Sequence, residues 1–413
     1  MENKKLKVGN VPPLRFPGFE GEWKTKKLGE IADKVNSGKT PLGGEAVYTK
    51  EGILFIRSQN VNNDRLELDN SVFIPESVNN QMKNSIVKPN DILLNITGAS
   101  LGRSCVVSND FKIGNVNQHV CIIRLSQQYN PRFIQPIFSS NKGQIIFNNL
   151  QTGSGREGLN FESIKGIKLF TPILDEQQKI ASFLSLIDAR IQTQNKMIEQ
   201  LETLIKGLSE KIFSRKIRFV EFTGDWKVKR LGEIFYSEKG KGLSKDKLTV
   251  NGKYECLLYG ELYTKYKEVI FNVVSKTNEE DGLKSQIGDL LIPSSTTTTG
   301  IDLANVTAIN KENVLLGGDI TVLRSKEKIN NIFYAYYLSN YKKEEIANYT
   351  QGSTIVHLYY NHMKNMEIDF PSLEEQTKIA RFLSSIDAKI ETEKNILDKY
   401  HSQKQYLLQN LFI

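Results

Sequence analysis

Two segments of this 413-residue chain each occur twice, and that duplication limits its architecture more than any other feature. Gly21-Glu22-Trp23-Lys24-Thr25-Lys26-Lys27-Leu28-Gly29-Glu30-Ile31 returns 203 residues later as Gly224-Asp225-Trp226-Lys227-Val228-Lys229-Arg230-Leu231-Gly232-Glu233-Ile234, with eight of eleven positions identical. The stretch PILDEQQKIASFLSLIDARI from Pro172 returns 199 residues later, from Pro371, as PSLEEQTKIARFLSSIDAKI, with fourteen of twenty positions identical. Chance does not produce two such pairs at nearly one spacing, so the chain reads A-b-A′-b′ and must fold as two copies of one plan. Between the repeats the likeness thins to Asp91-Ile92-Leu93-Leu94 facing Asp289-Leu290-Leu291-Ile292, Thr152-Gly153-Ser154 facing Gln351-Gly352-Ser353, and Leu159 facing Leu358. The frame repeats and the contents differ.

The b segments carry a helical seam. Ile180, Leu184, Ile187, Ile191, Gln194, Ile198, Leu201, Ile205, Leu208 and Ile212 follow an unbroken 4-3 spacing, the pattern of a coiled coil. The same register recurs at Ile379, Leu383, Ile386, Ile390, Glu393, Leu397, Tyr400, Lys404, Leu407 and Leu411, with its polar interruption at the same place. Pro172 and Pro371 precede the helical pattern, and Asp175, Glu176, Glu374 and Glu375 fall in or near the first turn, where carboxylates suit the helix dipole. Rods of this length measure about 60 Å. Phe213 leads to Arg218 and the second A segment with no long linker, so the rods are expected to pair antiparallel; the plainer alternative packs each rod along its own domain.

The A segments read as mixed α+β domains. Ile53-Leu54-Phe55-Ile56, Asp91-Ile92-Leu93-Leu94, Val120-Cys121-Ile122-Ile123 and Ile320-Thr321-Val322-Leu323 suit buried strands between Asn-, Gly- and Ser-rich turns, with helical stretches near 131–148 and 330–348. The expected organisation is a first domain over 1–171, a helical spacer over 172–214, a second domain over 215–370 and a second spacer over 371–413, in the α+β class with an internal pseudo-twofold repeat.

Function classes fall away quickly. Cys105, Cys121 and Cys256 form no CxxC pair, which removes a disulfide framework or a cysteine-rich zinc site and suits a reducing cytoplasm. No run approaches the ~18 apolar residues of a membrane span. The net charge of +8 permits a polyanionic partner without demanding one. There is no GxxxxGK[ST] loop, no HExxH and no GxSxG, and His119, His357, His362 and His401 stand scattered without partners at metal-ligand spacing. Gly153-Ser154-Gly155-Arg156-Glu157-Gly158 matches GxGxxG but follows no strand pattern, so it is not read as a dinucleotide site.

What remains is polar loops at strand ends, rich in the residue types that contact base edges and phosphates. The candidates in the first domain are Arg57, Ser58, Gln59 and Asn60; Thr97, Ser100 and Arg103; Asn117 and Gln118; Ser154 and Arg156. In the second they are Tyr259; Ser294, Ser295, Thr296, Thr297 and Thr298; Ser353 and Thr354. Each alone is equally an ordinary solvated turn. As a set at matching places in two copies, they suggest two surfaces that recognise different things.

The duplicated GEWKTKKLGEI and GDWKVKRLGEI segments, the duplicated Pro-x-Leu-[Asp/Glu]-Glu-Gln-x-Lys-Ile-Ala-x-Phe-Leu helix starts, and the IRSQNV, NITGASLGR and NVNQHVCIIRL stretches resemble the specificity subunits of Type I restriction-modification systems, from about Leu14 to Ile413. The resemblance implies a non-catalytic chain that binds double-stranded DNA, each domain reading one half of a bipartite asymmetric site. It implies helices that form an antiparallel pair, space the half-sites and dock two modification (methyltransferase) subunits. S-adenosylmethionine, ATP and Mg would belong to those subunits and to the restriction/translocase subunits, in the cytoplasm, with no cofactor in this chain. The second domain has CLLYGELY and GGDITVLR where the first has IRSQN and NVNQHV, so the half-sites are expected to differ. Two other readings stay open: a self-sufficient DNA methyltransferase or nuclease with unrecognised motifs, and a stand-alone DNA-binding regulator.

Overall fold

The structure, a computed structural model, describes residues 9–62, 64–151 and 158–413. The chain divides into two compact units, Met1–Asn195 with Ile396–Ile413, and Lys196–Asn395. The boundaries fall inside the two long helices, Leu174–Phe213 and Leu373–Asn410. Each unit therefore consists of one mixed domain, the N-terminal part of the helix that leaves it, and the C-terminal part of the other helix.

The first domain opens and closes on one ribbon, Lys24–Lys27 antiparallel to Lys168–Thr171. An antiparallel sheet runs in the order Ala32–Ser37, Val120–Leu125, Ile92–Asn95, Ser104–Val106. A second sheet runs Val72–Ile74, Ile53–Ile56, Gly114–Val116, Ile86–Val87, its central pair parallel. The second domain repeats this plan. Lys227–Arg230 pairs with Glu367–Phe370. Phe235–Lys239, Ile320–Ser325 and Leu290–Pro293 stand in the order of their counterparts, and Tyr254–Leu257 runs parallel to Leu315–Leu316. Even the register recurs, with Ile92 opposite Ile123 and Leu290 opposite Leu323. The strands are apolar on both faces because both are covered: Ile92, Leu93 and Leu94 are fully buried, as are Leu290 and Leu291.

All twenty seam positions are buried or half-buried. In the first unit Ile180, Leu184, Ile187 and Ile191 share a core with Leu407 and Leu411 of the other helix and with Trp23, Leu28 and Phe133 of the domain. In the second, Ile379 and Leu383 do the same with Ile212, Trp226 and Phe333. The seam thus packs helix on helix and helix on domain at once, because Ala181 and Ala380 widen the apolar stripe beyond a strict heptad face. Within the second unit the two segments run antiparallel: Glu202 meets Lys394 at 2.8 Å, while Ile212 lines a recess with Ile379.

The repeated Glu-Gln pair at each helix start has a mechanical role beyond the dipole. Asp175 and Glu374 stay exposed, but Glu176 and Glu375 are 1% and 2% exposed. Glu375 accepts from Arg218 Nε and Nη2 at 2.7 Å and from Trp226 Nε1 at 2.9 Å. Glu176 accepts from Arg15 Nε and Nη2 at 2.8 Å, with Trp23 Nε1 at 3.4 Å. Gln177 and Gln376 donate back to the Pro172 and Pro371 carbonyls and accept from the backbone N–H of Asn130 and Asn330. Each pair fastens its helix to the domain it leaves. A second repeated device ties the sheets together: Arg124 grips Asp91 of its own sheet through Nε and Nη2 at 2.7 Å and donates to the Ile86 carbonyl of the other at 3.2 Å, and Arg324 grips Asp289 at 3.0 and 3.2 Å and donates to the Lys284 carbonyl at 2.9 Å.

Among the described residues, a charged cluster in the first unit has no counterpart at the equivalent place in the second, where Ile205 stands at the position of Lys404. Lys404, at a seam position, bonds Asp188 of the other helix at 2.7 Å and Asp64 of the domain at 2.8 Å, and Gln135 and Ser139 also donate to Asp64. Burial opposes the Asp64 charge, but the Lys404 ammonium and these donors hold its carboxyl below the usual range; burial pushes Asp188 up. Lys404→Met removes the shared counter-charge, so both carboxyls must rise. A group whose folded pKa is raised loses stability as pH climbs from its unfolded value, near 3.8, through the folded one. The variant's melting temperature is therefore expected to fall between pH 4 and 7 relative to wild type, and parallel pH profiles for the two chains would contradict this.

Candidate nucleic-acid interface

The topology gathers three of the predicted loops. Ile53–Ile56 and Gly114–Val116 are parallel, so both end at one edge, where Asn117 N donates to the Ile56 carbonyl at 3.1 Å. Asn95 stands opposite Val120, which brings the loop after Ile92–Asn95 to the same edge. Arg57–Asn60, Thr97–Arg103 and Asn117–His119 therefore meet. Buried Asn95 donates to the Ser58 carbonyl at 2.8 Å, and Ile96 N to the His119 carbonyl at 3.0 Å. Thr97 Oγ1 contacts His119 Nδ1 at 2.6 Å, Gln118 Nε2 contacts His119 Nε2 at 2.9 Å, and Thr40 Oγ1 donates to Gln118 Oε1 at 2.7 Å.

Within the cluster the side chains divide by role. Asn60 is 2% exposed and holds the turn, accepting from Arg57 N at 3.0 Å and donating to the Glu67 carbonyl at 2.9 Å. Arg57 is half-buried over the Tyr48 ring, with one nitrogen on the Asn70 carbonyl. Gln59, Arg103 and Gln118 are exposed, Arg103 anchored by Asn62 Oδ1 at 3.1 Å. Ser58, Thr97, Ser100 and Asn117 are half-buried at the rim. Ser154 and Arg156 lie outside the described residues.

The second domain builds the same edge from other residues. Gly317 N donates to the Leu257 carbonyl as Asn117 N does to Ile56, and Ser294 N to Asp319 as Ile96 N does to His119. Leu258 N is capped by Glu261 Oε2 at 3.0 Å as Arg57 N is by Asn60. Backbone hydrogen bonds thus place Tyr259 where Ser58 stands, Ser295 where Thr97 stands, and Gly317-Gly318-Asp319 where Asn117-Gln118-His119 stands. The stretches without sequence counterparts are structural equivalents. Exposed Lys39 and Lys241 flank the two edges at equivalent points.

The threonine run is less open than its composition suggests. Ser294, Ser295 and Thr296 are buried, and Ser295–Thr296 is a strand paired with Val356–His357. Their hydroxyls are engaged internally: Ser294 with Thr321 Oγ1 at 2.7 Å, Ser295 with Asp319 Oδ2 at 3.0 Å, Thr296 with Thr298 Oγ1 at 2.8 Å. Thr297, Thr298, Ser353 and Thr354 are exposed. Sequence reasoning missed Tyr359, 44% exposed and stacked on His357 at 5.7 Å with His362 at its edge. Spacing carries no signal for it.

Among the described residues no group of three or more His, Cys, Asp or Glu is placed to hold a metal, and no helix is long and apolar enough to cross a membrane. Burial pushes the Cys105 and Cys121 thiols up to about 12, so neither is a thiolate nucleophile at neutral pH.

Comparison with known proteins agrees with this plan. The sequence model described as Type I restriction modification DNA specificity domain matches residues 20–203 and again 223–399. The Type I restriction enzyme MjaVIII specificity subunit of Methanocaldococcus jannaschii is 27% identical over 79% of each chain. The Type I restriction enzyme EcoBI specificity subunit of Escherichia coli is 28% identical over 43% of this chain and 37% of its own. The solved structure of the S subunit of a Type-I restriction-modification system from M. genitalium superposes with a TM-score of 0.61 at 18% identity, covering 98% of this chain and 99% of that one. A chain solved in work on assembly of the type I R-M system gives 0.57 at 15%, covering 94% and 96%. These two establish a shared fold.

Proposed function

Because this chain belongs to the family of Type I restriction-modification DNA specificity subunits, with its domain present twice, we propose that it gives such a complex its target by reading a bipartite, asymmetric duplex site, one half with each domain. The observation that carries this is the pair of equivalent edges built from unlike residues: one frame would place two readers alike on DNA, and different side chains make them read different bases. Exposed Arg103 and Lys39 in the first domain and Lys241 in the second are suited to hold phosphates while the loops meet base edges.

The long helices serve as spacer and as the docking face for two copies of a methyltransferase partner. S-adenosylmethionine chemistry belongs to those partners, and ATP and Mg to the restriction/translocase subunits that complete the complex. Two reading heads held at a fixed separation gain affinity by effective concentration and make half-site spacing strict. Purified with its methyltransferase, the chain is expected to bind a duplex carrying both half-sites and to lose at least tenfold in affinity when five base pairs are inserted between them. Binding indifferent to that insertion, or methylation by the chain alone, refutes the proposal.

A further inference from the structure

We infer that one equivalent position in the two domains reads DNA with opposite hydrogen-bond polarity: Thr97 donates to a base acceptor, guanine O6, thymine O4 or a purine N7, and Asp319 accepts from an amino edge, cytosine N4 or adenine N6. The inference rests on the proposal that both edges face the duplex.

In the first domain the direction of the relay follows from the orientation of the Gln118 amide, Oε1 toward Thr40 and Nε2 toward His119. Thr40 donates to Gln118 Oε1, so the Gln118 amide nitrogen faces His119 Nε2 at 2.9 Å. An amide nitrogen only donates, so His119 Nε2 accepts and Nδ1 carries the ring hydrogen. Nδ1–H then donates to Thr97 Oγ1 at 2.6 Å. The Thr97 hydroxyl, already an acceptor inside the domain, has its own hydrogen left to give, and it sits half-exposed at the rim beside Gly98.

In the second domain the same contact runs the other way. Ser295 stands where Thr97 does, but it is 7% exposed and donates its hydrogen to Asp319 Oδ2 at 3.0 Å. Its donor capacity is spent. The outward group is the Asp319 carboxylate, 48% exposed, whose Oδ1 has the Lys239 ammonium at 4.0 Å among the described residues. A carboxylate has no hydrogen to give, so it selects bases that present an amine in the major groove. One slot is thus a donor in the first head and an acceptor in the second.

The test is selection from a pool of randomised duplexes by the full-length chain in complex with its methyltransferase, comparing wild type with Thr97→Val and Asp319→Ala. Thr97→Val is expected to lose discrimination against cytosine, which presents no major-groove acceptor, roughly fivefold to hundredfold, at one position of one half-site, and Asp319→Ala to lose preference for C or A at one position of the other. In each variant the untouched half-site serves as the folding control. Enrichment of no bipartite site by wild type contradicts the function proposed above. A bipartite site with every preference retained in both variants overturns the polarity assignment alone, and so does loss of all enrichment, which places the residue in the fold.

Discussion

Ile187→Asp is expected to cost several kcal/mol of stability in the first unit and to abolish duplex binding by the chain. Ile187 is 3% exposed in a core that joins the first long helix to Leu407 and Leu411 of the second and to the domain. Truncating such a side chain alone costs roughly 2 to 5 kcal/mol. The aspartate adds a carboxylate in an apolar core, which must either stay protonated or open the seam. The neighbouring position supplies the control: Leu186 is 64% exposed, and Leu186→Asp should change stability by no more than about 0.5 kcal/mol. Ile386, the repeat counterpart of Ile187, is only half-buried, so Ile386→Asp should cost less. Chemical denaturation and a mobility-shift titration measure both effects. An Ile187→Asp chain that bound duplex as wild type does would remove the helices from the role of spacer.

The second large effect is expected from Glu375→Ala. The carboxylate accepts three hydrogen bonds, two from Arg218 and one from the Trp226 indole, and all three donors sit at the junction of helix and domain. Removing it leaves a buried indole N–H without its acceptor and a guanidinium, 23% exposed, with the Gly224 carbonyl but no counter-charge from Glu375. Breaking one side of a buried pair costs about 3 to 5 kcal/mol, toward the lower end where water reaches the cation, as here. Glu176→Ala repeats the test in the first unit. Glu374→Ala, one residue earlier and exposed, should be nearly silent. Equal denaturation midpoints for Glu375→Ala and Glu374→Ala would show that the latch does not hold the helix to its domain.

These two sites explain why so much of the frame was legible in sequence. Trp23 and Trp226, Leu28 and Leu231, and the Glu-Gln pairs perform duties that both copies need in identical geometry, so side chain and structure repeat together. The seam was legible because burial along a helix follows a period that spacing reveals. The reading edge was only half legible. Its two versions are matched by backbone N–H groups, Asn117 to Ile56 and Gly317 to Leu257, and a backbone match leaves no trace in residue identity. Asn60 and Glu261 cap the same turn with different side chains, and Asn117-Gln118-His119 corresponds to Gly317-Gly318-Asp319. The threonine run read as a loop because its composition is polar. Ser295–Thr296 is a strand, satisfied by Asp319 and by pairing with Val356–His357, contacts more than twenty residues away that local pattern does not carry.

The most direct test of two unlike readers on one repeated frame is to map methylated bases across the genome of cells with and without this chain, the methyltransferase proposed as its partner present in both. The account predicts one modified motif that appears only with the chain, made of two short, different half-sites separated by unspecified base pairs. A single continuous palindromic motif, or a methylation pattern unchanged by the chain, would contradict it.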